Sequence, residues 1–442
     1  MDCTFVRKLA LSTLITFCTI WRLAAAEPSK NFAPFFLGQH ILYNGSYLGL
    51  DGNLFEGLRI WGAQGTTWAA IEPVKGRFDF GKFDQHVAAA EGLQLNLIHT
   101  LGQTPQWASS RPSEQGNTGM GAASEPQNIQ DWALYVRTVV QRYRGRISAY
   151  EVMNEPRIPE AIKPWSPGFF SGSAEKLAEM TRVAAMEIRM ADPAAKVVCP
   201  SMDGEDGLKR LDYFLSTGAG EHCDVIGFHY YLRTYSITDL RSMIGQTRSI
   251  LVRHGLGHLP IWNTETGVLI SDAGYGLKPI DKVGPLSRMF QSDDAARFAT
   301  QVLVVSHSLG IERNYWFAHD SSWMGSTTAD KRQNQLNPFG KSLALVNSWL
   351  NGRFLKQCIQ SGTGFECEVH DAQDRIGNIY WGNGKTSEEW ARQGFTSVQY
   401  LNGKRADLAQ LDPTMQIPFT TNDVIFLSRT ILANRASART RR

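Results

Sequence analysis

The sequence predicts an α/β protein: a (β/α)8 barrel followed by a small C-terminal β-sandwich-like domain. Three observations carry that expectation. Eight short apolar runs of strand character recur between residues 36 and 317, with amphipathic helical stretches between most of them. Connections from helix back to strand are short, whereas those leaving the strands are long and rich in Gly, Ser and Pro, as in a barrel whose strand ends open onto one face. Beyond about residue 350 the pattern changes to brief extended runs separated by turn residues.

The first residues stand apart. Arg7-Lys8 precede an apolar run from Leu9 to Trp21, and Ala24-Ala25-Ala26 stand before Glu27-Pro28. A basic flank, a short apolar core and small exit residues describe a secretory signal over residues 1–26. The run falls short of the ~20 residues a membrane span needs, and Arg22 closes it. The mature chain is expected to be secreted or periplasmic, with no stable membrane insertion.

The strands expected within the catalytic barrel, residues 27–352, are Phe36–Leu42, Gly57–Trp61, Leu95–Thr100, Ile147–Met153, Lys196–Cys199, Val225–Tyr231, Pro260–Thr264 and Ile311–Phe317. Helical periodicity marks Asp131–Tyr143, Ala174–Met190, Ile237–His254, Asp294–Ser308 and a last helix, Lys341–Leu350. The stretch between Asn44 and Glu56 is too short for a full crossover helix, which makes the first unit irregular. Long loops Gln103–Gln130, Pro156–Gly172, Gly267–Ser292 and His319–Pro338 would wall a deep cleft over the strand ends. Phe354–Ile359, Phe365–His370, Gly377–Trp381, Thr396–Leu401 and Asp423–Ser428 read as strands of a β-rich flanking domain, residues 353–430, joined without a low-complexity linker. Residues 431–442 form a basic, frayed tail.

Charge excludes one class of partner. The formal net charge is +3, and Arg435, Arg439, Arg441 and Arg442 of the tail alone exceed it. The folded body is left mildly acidic, without a basic face for nucleic acid. Of six cysteines, Cys3 and Cys18 lie in the signal. Cys358 and Cys367 flank Ser361-Gly362-Thr363-Gly364 and fall opposite each other across a hairpin, where a disulfide fits. Cys199 ends one expected strand and Cys223 begins the next, at opposite ends of a parallel pair, so no bond is expected there. Neither pair nor any histidine cluster has metal-ligand spacing, and no metal or cofactor is expected.

The chemistry gathers at two strand ends. Tyr150-Glu151-Val152-Met153 runs into Asn154-Glu155-Pro156, where proline stops the strand and holds an amide and a carboxylate at its carboxyl end. Three units later Ile261-Trp262-Asn263-Thr264 runs into Glu265, and Gly267 breaks that strand. The spacing, about 37 residues per unit, is close to the ~31 of an average barrel unit, so strands four and seven face each other across the barrel. Two carboxylates across a sugar-sized gap are the machinery of glycoside hydrolysis.

The chain resembles clan A glycoside hydrolases, and within them glycoside hydrolase family 39, the β-xylosidase and bacterial exopolysaccharide hydrolase group. The stretches that carry the resemblance are Leu58-Arg59-Ile60-Trp61, Thr67-Trp68-Ala69-Ala70-Ile71-Glu72-Pro73, Gly76-Arg77-Phe78-Asp79-Phe80, Thr104-Pro105-Gln106-Trp107-Ala108-Ser109, Glu151 to Pro156, and Phe228-His229-Tyr230-Tyr231. The resemblance implies Glu155 as acid/base and Glu265 as nucleophile of a retaining double displacement. It further implies Asn154 on the sugar 2-hydroxyl, Arg59 and Tyr231 on Glu265, His229 beside the acid/base, and Trp316 as the floor of the −1 subsite. Composition alone equally allows Trp316 as a core aromatic. His99, on strand three, joins the substrate-binding candidates but reads as a satisfied core or cleft histidine rather than a catalytic one. Met153 departs from the family, where tryptophan commonly precedes the Asn-Glu pair, and so offers no stacking face. The expected partner is an oligosaccharide or polysaccharide. A clan A endo-glucanase or endo-mannanase is the alternative enzyme, and a carbohydrate-binding protein without catalysis the alternative class.

Overall fold

A computed structural model of the chain describes residues 33–429, apart from 44–46, 48, 64, 162–167, 272–288, 321–327, 331–333, 373, 419 and 422. The expected signal and the basic tail lie outside the described residues, as do parts of the loops after strands four, seven and eight.

Eight strand positions close into a barrel. They are β1 (Leu37–Tyr43), β2 (Gly57–Ala63), β3 (Asn96–Leu101), β4 (Ala149–Val152), β5 (Lys196–Val198), β6 (Ile226–His229), β7 (Ile261–Thr266) and β8 (Ile311–Trp316). Every neighbour pairs in parallel, from β1 with β2 through to β8 with β1. The β5–β6 seam is the shortest. It is made by a Val198–Val225 bridge and by Met202–Asp203, which continue β5 after a break and pair with Phe228 and His229.

That break explains a correction. Cys199 and Cys223 are disulfide-bonded, with Cα atoms 5.4 Å apart, against expectation. Because β5 has only three residues, the end of one strand and the start of the next are not far apart; Cys199 N–H already donates to the carbonyl of Val225 at 2.9 Å. The Cys358–Cys367 disulfide is also present, across the hairpin.

Helices α1 (Gly81–Gly92), α2 (Ile129–Arg142), α3 (Ala174–Ala191), α4 (Gly204–Ser216), α5 (Ile237–Arg253), α6 (Ser292–Ser308) and α7 (Pro338–Leu350) surround the barrel. Their starts are capped locally: Ser173 accepts from Lys176 N–H, Ser236 from Asp239 N–H, and Asn337 from Gly340 N–H with Pro338 behind it. No helix lies between β1 and β2 among the described residues. None of the described helices is long and apolar enough to cross a membrane.

Side-chain parity layers the barrel's interior. Ile98, Ala149, Val198, Val225, Trp262 and Tyr315 form an apolar plug near its amino-terminal end. Two residues further along the same strands, the inward positions are polar: Thr100, Glu151 and Thr264, beside Arg59 and His229. The chemistry therefore starts one layer above the plug, toward the carboxyl ends of the strands.

After α7 come β9 (Phe354–Ser361), β10 (Gly364–His370), β11 (Arg375–Trp381), β12 (Ser397–Tyr400), β13 (Arg405–Asp407) and β14 (Ile425–Ser428), in one antiparallel sheet of order β9-β10-β11-β14-β12-β13. A two-stranded ribbon (Lys385–Thr386 with Gln416–Ile417) and helix α8 (Ser387–Arg392) add to this region. Trp349 of α7 stacks on Phe426, with ring centres 5.6 Å apart, and donates to Gln399 at 2.9 Å. Phe365, Trp381 and Phe426 belong to the same buried cluster as the barrel's helices, so one hydrophobic core runs through both parts.

Candidate active site

Glu155 reaches the cleft through a distorted strand end. β4 stops at Val152, and Met153 and Glu155 adopt φ of 74° and 41°. Left-handed backbone at non-glycine residues costs on the order of 1–3 kcal/mol each and persists only where neighbours over-determine it. Here the neighbour is Ser201. Its carbonyl accepts from Glu155 N–H at 2.9 Å, and its hydroxyl donates to Glu151.

Glu265 arrives by a different device. On β7, Asn263 pairs with Phe228 and Glu265 with His229, so Thr264 is the extra residue of a bulge. In an undistorted strand Thr264 would face inward and Glu265 outward. The bulge turns Glu265 inward too, beside His229. Glu155, His229 and Glu265 then present ligand-type atoms all within 4.8 Å of one another. Arg59 already supplies a positive charge to Glu265 in this group.

Arg59, fully buried on β2, links the carboxylates. It donates from Nη1 to Glu265 Oε2 at 2.6 Å, and from Nε and Nη2 to Glu151 Oε2 at 3.0 and 2.6 Å. Nη2 also reaches Asn154 Oδ1 at 2.7 Å, which fixes the amide with its oxygen on the ion pair and its nitrogen turned away. Burial works against charge on Arg59, and Glu151 and Glu265 more than offset it, so its pKa sits above the usual value. Burial likewise works against Glu151, but Arg59, His229, Ser201 and Thr100 hold its pKa below the usual one.

His40 completes this layer. Its Nδ1 lies 3.0 Å from Arg59 Nη1 and 3.6 Å from Glu265, and its Nε2 lies 3.1 Å from the carbonyl of Trp61. Since a guanidinium only donates, Nδ1 must accept and Nε2 carries the proton. Burial lowers the pKa of His40 and keeps it neutral. Glu265 Oε1 accepts from the Tyr231 hydroxyl at 2.8 Å. His229 Nδ1 lies 2.9 Å from Glu155 Oε1, and burial lowers the pKa of that imidazole against the pull of the nearby carboxylates.

The two glutamates differ electrostatically. Burial, reinforced by the nearby Asp203 charge, pushes Glu155 up to about 8, so its carboxyl is protonated at neutral pH. Burial also raises Glu265, but His229, Arg59 and the Tyr231 hydroxyl pull against it. Two glutamates in unlike environments, one pushed much further toward its acid form, are the arrangement that hydrolysis of a glycoside uses.

Two expected site residues lie elsewhere. Trp316 is 1% exposed and packs outward against Phe339 of α7, with ring centres 5.2 Å apart. The parity of β8 decides this, since Tyr315 points into the barrel plug and its neighbour must point out. Phe317 turns back inward, its ring 4.7 Å from His40, in a cluster with Tyr231. It is thus Phe317, not Trp316, that stands beside the His40 and Tyr231 side chains. His99 also faces outward, between β3 and Phe83 of α1, and burial lowers its pKa to about 3. It is a core histidine. Arg59, Asn154, Glu155, His229, Tyr231 and Glu265 are brought together. Sequence reasoning missed His40, Ser201 and Asp203 and gave Glu151 no role; a buried arginine with more donors than one carboxylate can satisfy was the available signal for Glu151.

Known proteins give two kinds of likeness. Residues 63–198 match the sequence profile of glycosyl hydrolase family 10. The chain is similar to endo-1,4-beta-xylanase B of Humicola insolens, 37% identical over 92 residues, or 21% of this chain and 24% of that one. It is also similar to endo-1,4-beta-xylanase A of Phanerodontia chrysosporium, 30% identical over 150 residues and 34% of each chain. It thus spans about a quarter to a third of these relatives' length. In fold it resembles a family 39 glycoside hydrolase from the gut symbiont Bacteroides cellulosilyticus WH2, with a TM-score of 0.64 at 14% identity over 90% of this chain and 81% of that one. The family 39 enzyme of Xanthomonas axonopodis pv. citri gives 0.55 at 14% identity, covering 89% and 94%. At such identities the likeness carries the fold alone.

Proposed function

We propose that this chain, a clan A glycoside hydrolase most like family 39, is an exported enzyme that cleaves β-glycosidic bonds of an oligosaccharide or polysaccharide with net retention. The observation that supports this best is the pair Glu155 and Glu265, one carboxyl oxygen of each within 4.8 Å of the other, in unlike surroundings: Glu155 is pushed up to about 8, while Arg59 and Tyr231 pull against the rise at Glu265. Oxygens this near each other fit the ~5–5.5 Å carboxyl separation of retaining pairs better than the ~6.5–9.5 Å of inverting ones, and favour direct attack.

In the first step Glu155 gives its proton to the glycosidic oxygen while Glu265, aligned by Arg59 and Tyr231, attacks the anomeric carbon. Esterification of Glu265 removes its negative charge. Glu155, now ionised and no longer facing that charge, then accepts a proton from the water that opens the ester. The Asn154 amide nitrogen meets the 2-hydroxyl, a contact that tightens as the oxocarbenium-like state forms. Phe317 lies under the reacting sugar. The xylanase names of the relatives make β-1,4-linked xylose the first substrate to try.

The test is a screen of 4-nitrophenyl β-xyloside, β-glucoside and β-galactoside and of β-glycans, with proton NMR of the first anomer formed. Retention is expected; an inverted product overturns the mechanism. Glu265→Gln should abolish turnover and keep binding, and Glu155→Ala should regain rate with azide on activated substrates. Sugar binding with no turnover on any of them would support a binding protein instead.

A further inference from the structure

Asp203 stands just past the break in β5, its Cα opposite that of His229 on β6. It occupies the cap position of α4 yet makes no side-chain cap hydrogen bond. An aspartate there ordinarily accepts a backbone N–H of the first turn. Its Oδ1 accepts instead from Arg157 Nη1 at 2.8 Å and from Arg210 Nη2 at 2.6 Å. Arg210, 3% exposed on α4, also donates from Nη1 to the carbonyl of Pro156 at 3.2 Å. The two residues that follow Glu155 are thus both tied to one carboxylate on the neighbouring strand: Pro156 through Arg210, and Arg157 directly. Glu155 needs such a tie, since its φ of 41° is not a conformation the free chain would hold.

We propose that Asp203 is a positioning residue for Glu155: clamped by Arg157 and Arg210, it holds the Glu155-Pro156-Arg157 turn and fixes a negative charge beside the Glu155 carboxyl. The proposal rests on Glu155 being the acid/base. The charged and titratable groups facing Glu155 are Asp203 beyond β5, Arg157 on its own segment, Arg210 on α4, Arg59 on β2, His229 and Tyr231 at the end of β6, and Glu265 on β7. Burial and Asp203 favour its acid form, and the three arginines oppose it. The cluster Arg157–Asp203–Arg210 therefore acts in two senses, and its members should displace the acidity of Glu155 in opposite directions.

The experiment measures kcat/KM against pH on a phenyl and a 2,4-dinitrophenyl β-glycoside of the sugar the wild-type chain hydrolyses. Only the first needs its leaving group protonated. In Asp203→Asn the alkaline limb on the phenyl glycoside should fall by about one pH unit or more, with a loss of about five-fold or more at pH 8, while the dinitrophenyl glycoside changes by less than about three-fold. Asp203→Glu should restore the limb. Arg210→Gln removes a positive charge and leaves Asp203, so its limb should move up; this keeps the proposal testable should Asp203→Asn not fold. Superimposable profiles, or equal losses on both substrates, overturn it. Glu155→Gln is the control. If it too fails to distinguish the leaving groups, the acid/base reading falls and the proposal with it; if it does distinguish them while Asp203→Asn does not, only the proposal falls.

Discussion

Arg59 Nη1 lies 2.6 Å from Glu265 Oε2, while the other edge of the same guanidinium is taken by Glu151. One buried cation thus serves two buried carboxylates, and they are not equivalent. Glu151 also receives the Thr100 and Ser201 hydroxyls, whereas Glu265 borders the cleft, and burial raises its pKa.

The imbalance predicts opposite effects on stability. Glu151→Gln leaves two hydroxyls and a guanidinium donating toward an amide, and should cost about 3 kcal/mol, the low end for breaking a buried pair. Glu265→Gln leaves Arg59 paired one-to-one with Glu151 and removes a carboxylate whose ionisation the fold disfavours. It should change stability by less than about 1 kcal/mol, or increase it, while abolishing turnover. Urea unfolding of both variants checks this, and equal losses would contradict the asymmetry.

The pH dependence has a definite sign. On the proposed mechanism Glu155 must be protonated to act first, and its pKa is pushed up to about 8, so activity should fall as pH rises through about 8. Glu265 must be ionised, and its pKa is raised, so the acid limb should lie above the ordinary glutamate range. Substrates with dinitrophenolate leaving groups should lose the alkaline limb of the first step and keep the acid one. A pH–rate profile of kcat/KM on both substrate types decides it; an alkaline limb common to both would remove Glu155 from that role.

Much of this was legible because strand ends are written in local chemistry. Gly267 marks where β7 stops, Pro156 bounds the turn that follows β4, and the apolar periods placed all eight barrel strands. What failed was parity. A bulge at Thr264 and the register of Tyr315 cannot be read from composition, so Glu265 faces inward against strict alternation and Trp316 outward despite expectation. The Cys199–Cys223 bond was missed for a related reason: β5 was read as long enough to separate its ends. The Arg157–Asp203–Arg210 cluster joins residues from three elements that no local pattern connects.

Parity also yields a prediction about the subsite. Phe317→Ala removes the ring beside His40 and should raise KM by about ten-fold, the equivalent of ~1.4 kcal/mol of lost contact, with little change in melting temperature. Trp316→Ala opens a cavity between β8 and α7 and should cost about 3–5 kcal/mol of stability. Michaelis–Menten kinetics and thermal melts separate the two. If Trp316→Ala instead stays stable and loses substrate affinity, the indole does meet the sugar.

The last prediction concerns the sheet of β9–β14, proposed to be a structural flank of the barrel rather than an independent sugar-binding module. Its two tryptophans supply the reasoning. Trp381 is 2% exposed and stacks on Phe365 at 4.4 Å; Trp390 is fully buried, its Nε1 donating to the Ile417 carbonyl at 2.8 Å. Neither offers a face to a polysaccharide. The contacts that cross to the barrel are of the core kind: Trp349 on Phe426, Ser342 to the Leu401 carbonyl at 3.1 Å, and Phe35 N–H, at the start of the barrel, to the Arg353 carbonyl at 2.9 Å. Removing the sheet would expose Trp349 and its neighbours, and a single aromatic side chain left in water forfeits about 1.5–3 kcal/mol. A chain ending at Leu350 should therefore be insoluble or unfold at much lower urea concentration than the full chain. If it stays folded and hydrolyses small aryl glycosides normally while losing only polymer binding, the sheet is a module, and the shared core contributes less than its burial implies.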